Sequence, residues 1–201
     1  MLEFEARNDV WSILPRTFPT EAGLNADGWF DQFCTLYVTS EVGLSIEQVG
    51  VLRDVVTEAR AQIAPNDVAT LLFRPSEYPV TSVVHVQLFD AEGEDASAVV
   101  QNAMLPEVPL AVPPIVEPFE AAGLGPGHKG AFIVGESFAD GSPAGGLSYA
   151  FATRGHVVNV FTSPTSPTTV GLMEDFLDDL VSAIRLVPGE AAAERAAGVQ
   201  H

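Results

Sequence analysis

Cysteine occurs once in the chain, at Cys34. No disulfide can close within it, which excludes a stapled scaffold of the secreted kind and leaves the thiol the expected role of a small buried apolar residue. Basic side chains are scarce too: 9 Lys and Arg stand against 27 Asp and Glu, for a formal net charge of −18. A surface of that sign repels phosphate backbones and anionic lipid headgroups, so it argues against nucleic acid and suits a basic protein segment or a cation. Apolar runs stop short of the ~18 residues that cross a bilayer, and no integral membrane protein is expected. Residues 1–11 contain Glu3, Glu5 and Asp9 where a signal peptide has a basic start and an apolar stretch, so cytoplasmic residence is the expectation.

Apolar residues, by contrast, make up 47% of the 201. That is enough for a full core, and at roughly one domain per 100–200 residues it predicts a single domain. Its expected extent is residues 1–187, with 1–31 as an extended N-terminal arm, because Pro15, Pro19, Gly23 and Gly28 interrupt an aperiodic apolar stretch there. The alanine-rich stretch 188–201 reads as a flexible tail.

Residues 33–39 alternate as a strand would, with Phe33, Thr35 and Tyr37 on one side and Cys34, Leu36 and Val38 on the other. Ser45 and Gln48 have capping-box spacing, and Val49, Leu52, Val55, Val56, Ala59 and Ile63 give a helix over 46–63 that Pro65 closes. Branched and aromatic residues predict strands over 68–74 and 80–89. An acidic turn and a short helix over 96–104 follow. Five prolines from Pro106 to Pro118 then exclude a regular helix and leave room for an edge strand over 112–116. Residues 123–130 read as a glycine-rich loop before a strand over 131–138.

Two strands, 146–153 and 156–163, form the clearest pattern. With Arg154 and Gly155 as the turn, Phe151 faces Val158, Tyr149 faces Val160 and Leu147 faces Thr162 on an apolar side. The other side sets Ser148, Ala150 and Ala152 against Phe161, Asn159 and Val157, small residues against which something could lie. A final helix, capped by Thr168 or Thr169, carries Leu172, Met173, Phe176, Leu177, Leu180, Val181 and Ile184 as one stripe. Its far side holds Glu174, Asp175, Asp178 and Asp179, a solubilising face or a docking site for a basic segment.

The segments Tyr149-Ala-Phe151, Val157-Val-Asn-Val-Phe161 and Phe176-Leu-Asp-Asp-Leu180, with the Pro-spaced link between the last two, resemble the C-terminal half of the PsbP/DcrB-like superfamily. Residues 33–63 are compatible with its first half, whereas 75–104 looks like an insertion. The resemblance implies an α+β fold, a central and mainly antiparallel β-sheet with helices packed on its faces. It also implies work by binding, since relatives include extrinsic photosystem subunits, lipoproteins and effector chaperones of secretion systems.

Catalytic patterns are thin. No HxxxH or HExxH spacing occurs among His85, His128, His156 and His201, and His85 reads as a half-buried or solvated strand histidine. His128 and Lys129 sit in glycine-rich sequence without a Walker pattern. Gly135-Glu-Ser137-Phe-Ala139 lacks the last glycine of a nucleophile elbow, which argues against serine hydrolysis. Asp90-Ala-Glu92-Gly-Glu94-Asp95 lacks the sixth-position glycine of a calcium loop. No metal and no cofactor are expected. The first functional reading is a non-enzymatic protein-binding module, an adaptor or chaperone for a secretion-system or membrane-associated client. Its partner contacts are Ala150, Ala152 and Asn159 by analogy with the superfamily, and the four acidic residues of the last helix. The alternatives are an enzyme that gathers His128 and His156 with Glu136 or Asp140 around a pocket, and a structural subunit of a larger assembly. The oligomeric state stays open.

Overall fold

The computed structural model describes residues 1–38, 45–75, 78, 80–93, 95–104, 108–135, 138 and 141–187. Along the chain run β1 (Leu2–Glu3), β2 (Trp11–Ile13), α1 (Ala26–Val38), α2 (Ile46–Ala61), β3 (Asp67–Phe73), β4 (Ser82–Asp90) and α3 (Ala96–Ala103). Then come β5 (Ile115–Ala121), β6 (Gly125–Ile133), β7 (Gly145–Thr153), β8 (His156–Thr162), α4 (Pro167–Ala183) and β9 (Arg185–Leu186). Seven strands form one antiparallel sheet in the order β2-β3-β4-β8-β7-β6-β5, and β1 pairs with β9 beside it. The class is α+β with helices on both sheet faces, as expected.

The central hairpin has the expected register, with Phe151 opposite Val158, Tyr149 opposite Val160, and the Leu147 N–H donating to Thr162 Oγ1 at 3.0 Å. Arg154 and Gly155 both take positive φ, 50° and 77°, the geometry that matches a tight turn to the strand twist. Alternation then sorts the sheet. Val84, Val86, Leu147, Tyr149, Phe151, Val158 and Val160 face α4, where Met173, Leu177, Leu180 and Val181 complete the main core. On the other face α1 and α2 cover Leu72 and Val83, and α3 covers Ala150 and Val157.

Five local expectations are corrected. Residues 33–38 belong to α1 and not to a strand. The Asn25 side chain caps that helix by accepting the Gly28 N–H at 2.8 Å, and Phe30 and Phe33, three residues apart, bury together against α2. The arm accordingly ends before Ala26, and Trp11–Ile13 within it pairs with β3. The glycine-rich loop is mostly strand β6. There a Cβ on Gly127 would fall 2.3 Å from the Phe151 ring and one on Gly130 2.6 Å from Met104 Cε, so the glycines let neighbours close on the backbone. The edge strand runs over Ile115–Ala121 with Pro118 inside it, which an edge tolerates. α4 is capped by Ser166, whose Oγ accepts the Thr169 N–H at 3.2 Å, because Pro167 takes the first helical position where no N–H is needed.

The capping box at α2 forms as expected: Ser45 Oγ accepts the Gln48 N–H at 3.2 Å and Gln48 Oε1 accepts the Ser45 N–H at 2.8 Å. Ser45→Ala leaves one of these donors to water and destabilises the chain by about 1 kcal/mol. Urea unfolding should show the lower midpoint with an unchanged slope; an unaltered midpoint would mean that the cap contributes nothing here.

Candidate functional site

Between the α1–α2 pack and α3 no described residue covers the second sheet face, and a pocket of about 630 Å³ opens there. Its floor follows from strand alternation. His85, Gln87 and Phe89 of β4, Asn159 and Phe161 of β8, and Ser148 of β7 all point to this side. Gln62 and Ala64 after α2, Val99, Asn102 and Ala103 of α3, and Phe132 of β6 form walls, and Ser163 and Pro164 stand just past β8. The volume is that of a small-ligand site. Among the described residues three phenylalanines and five carboxamides line it, and none of the described lining residues is Asp, Glu, Lys or Arg.

Two floor groups are unsatisfied. Ser148 Oγ and Asn159 Oδ1 are buried and have no hydrogen-bond partner among the described residues. A buried polar atom left so costs about 1–3 kcal/mol, and a ligand group reaching the floor would recover it.

Beside them lies a buried polar chain. Asp67, 1% exposed, takes His85 Nδ1 at 2.9 Å and the Thr70 hydroxyl at 3.3 Å on Oδ2, and Gln87 Nε2 at 2.8 Å on Oδ1. The Ala64 N–H donates to Oδ2 at 3.0 Å. Burial would raise the Asp67 carboxyl, but the hydrogen bonds from His85, Gln87 and Ala64 outweigh it and hold it below the usual carboxylate range. An ionised Asp67 can only accept, which puts a proton on Nδ1; in the neutral imidazole the Nε2 lone pair then faces the Ser163 hydroxyl 3.4 Å away. The imidazole stacks on Phe161 with 4.8 Å between ring centres. His85 is thus fully buried and partnered, against the half-buried or solvated strand histidine that was expected.

The residues singled out in the sequence are dispersed. Asn159 lies on the pocket floor, Ala150 lies under α3, and Ala152 is exposed near the hairpin end. His128 pairs with Ala150 and is exposed on the pocket face, whereas His156, opposite Thr153, is on the α4 face with Nδ1 3.0 Å from the Arg154 carbonyl. The two histidines are therefore on opposite sides of the sheet and do not share a pocket; Glu136 and Asp140 lie outside the described residues. The acidic face of α4 divides in half. Asp175 and Asp179 are exposed, but Glu174 and Asp178 hold Lys129, the only lysine of the chain, at 2.7 and 2.9 Å, and Asp178 also accepts the Tyr149 hydroxyl. Among the described residues no group of three or more His, Cys, Asp or Glu could hold a metal ion, and no helix is long and apolar enough to cross a membrane.

Asp67 and Ser163 were missed. The signal that could have found their partner is in β4, where His85 and Gln87 occupy alternate positions of a stretch otherwise apolar from Val83 to Phe89, and in Asn159 and Ser163, which share a parity in and just beyond β8.

No protein-family model matches the chain, and no curated protein matches it. Among solved structures, the solution structure of cyanobacterial PsbP (CyanoP) from Synechocystis sp. PCC 6803 is similar over 63% of this chain and 78% of that one, at 13% identity and a TM-score of 0.37. The similarity is a weak one of fold, and it concerns fold alone.

Proposed function

We propose that this chain is a protein-binding module, an adaptor or chaperone, that holds an uncharged and partly apolar segment of a client protein in the pocket between α2 and α3. The observation that supports this reading is the pocket floor, where two buried polar atoms lack partners among aromatic and carboxamide side chains. A peptide carries a donor and an acceptor at every residue, which suits carboxamides, and apolar side chains suit the phenylalanines. A charged segment would lose its hydration without gaining a counter-charge from the lining.

Isothermal titration with tetrapeptides of Ala, Leu, Phe, Asn and Ser, set against Asp- and Arg-containing versions, tests the reading. The uncharged set should bind with Kd on the order of 1–100 μM. Ser148→Phe, which fills the pocket from its floor, should weaken that binding at least roughly 10-fold while leaving cooperative unfolding in place. Equal affinity for all three sets, or full affinity in Ser148→Phe, would sink the proposal.

A further inference from the structure

We propose that Ser163 is an acyl-accepting nucleophile, activated by His85 and oriented through Asp67, that cleaves uncharged esters brought into this pocket. The assignment rests on the pocket reading above only for where the ester sits.

Three elements adjacent in the sheet supply the parts: Asp67 begins β3, His85 is central in β4, and Ser163 follows β8. The order nucleophile, base, orienting carboxylate is the arrangement that makes a serine hydroxyl reactive, and it is recognised by geometry and not by chain position. The bond from His85 Nδ1 to Asp67 Oδ2, 2.9 Å long, fixes the tautomer. The contact from Nε2 to Ser163 Oγ, at 3.4 Å, is loose, as such contacts are before substrate binds. The imidazole cannot swing, because Phe161 stacks on it and it is 3% exposed. Ser163 is partly exposed and lines the pocket, and its hydroxyl makes no other hydrogen bond among the described residues. No glycine elbow is involved; Ser163 lies just past the end of β8 and precedes Pro164, a position that disfavours helical backbone.

The steps balance without a cofactor. As Oγ attacks the ester carbonyl carbon, its proton passes to His85 Nε2 and the carbonyl electron pair moves onto oxygen. Collapse restores the carbonyl and breaks the bond to the alcohol oxygen, which leaves with the proton from Nε2. Water, deprotonated by the same Nε2, then releases the acid and returns the proton to Oγ. The Ser163 N–H donates to the Val83 carbonyl at 2.9 Å and is not free for the oxyanion, whose charge therefore falls to a side-chain donor of the pocket lining. The described lining residues, none of them Asp, Glu, Lys or Arg, set the substrate class: a carboxylate-bearing ester would be desolvated among them without a partner.

The full chain should be incubated with a fluorophosphonate probe and the adduct located by intact mass and peptide mapping, with 4-nitrophenyl butyrate hydrolysis followed in parallel. One adduct on Ser163 is expected, together with ester turnover, and both are lost in Ser163→Ala. Asp67→Asn keeps the side-chain shape but presents an N–H where the carboxylate accepted one, and should slow labelling roughly 100-fold. Uncharged-peptide binding, read on the same variant, separates slower labelling from a collapsed site. An unlabelled Ser163 in protein that binds those peptides overturns the nucleophile and leaves the binding module standing. Labelling without peptide binding overturns the module and leaves the nucleophile. Labelling that persists at full rate in His85→Ala overturns the activation.

Discussion

Asp67→Ala should lower the free energy of unfolding by about 3–5 kcal/mol. The carboxylate is the common acceptor for the Ala64 N–H, the Thr70 hydroxyl, Gln87 Nε2 and His85 Nδ1, and it is almost wholly buried. Alanine removes the acceptor and leaves those donors without it, each at a cost of about 1–3 kcal/mol before relaxation. The effect depends on pH with a definite sign. Because the folded carboxyl is held below its ordinary value, its contribution is complete above about pH 3.9 and is lost as pH falls through the lower folded value. Urea unfolding of the wild type and Asp67→Asn between pH 7 and pH 2.5 isolates that part from the many other carboxylates. The stability gap should shrink towards the acid end. A gap that stays constant to pH 2.5 would falsify the charged-acceptor account, and a cost under about 1 kcal/mol for Asp67→Ala would mean the donors find other partners.

Lys129→Met should cost about 2 kcal/mol, between the ~3–5 of a broken buried pair and the ~0–1 of an exposed one. Lys129 is nearly buried, whereas the Glu174 and Asp178 side chains are 45% and 31% exposed, which places the contact between those limits. The substitution restores a conflict that the helix alone contains, since Glu174 and Asp178 repel at a four-residue spacing. It also leaves Asp178 with the Tyr149 hydroxyl alone. Burial would lower the Lys129 ammonium, but its hydrogen bonds with Glu174 and Asp178 outweigh that and hold it above the ordinary value. Its stabilisation is therefore full below about pH 10.4 and fades as pH rises through the higher folded value. Thermal unfolding at pH 7 and pH 11 should show the gap between wild type and Lys129→Met narrowing at the higher pH. A gap that widens there would contradict the ion pair.

Much of the sheet is legible in the sequence because alternation is a strong local signal. β7 and β8 could be placed in register from Tyr149, Phe151, Val158 and Val160 alone, since a slip by one residue would turn that apolar set to the other face. The same signal misled at residues 33–38. There aromatic and branched residues alternate over too few positions to separate two periods, and the Phe30–Phe33 contact with α2 decides for helix. Glycines 125–130 misled in the opposite way, because a glycine that serves close packing looks in sequence like one that serves a turn.

The acidic face of α4 and the polar floor mark the boundary of what one strand or helix can tell. Which side of α4 is charged could be read from its period. Which of those charges are free could not, because Lys129 arrives from a strand 45 residues before Glu174 in the chain. Likewise strand alternation alone tells that one hairpin face carries small and polar residues. That α3 covers Ala150, that a pocket remains over Asn159 and Ser148, and that Asp67, His85 and Ser163 meet beside it follow from how the elements pack. The reason is physical. Periodicity records which face of an element is apolar, whereas a polar cluster is made by strand order and helix placement, which bring together residues far apart in the chain.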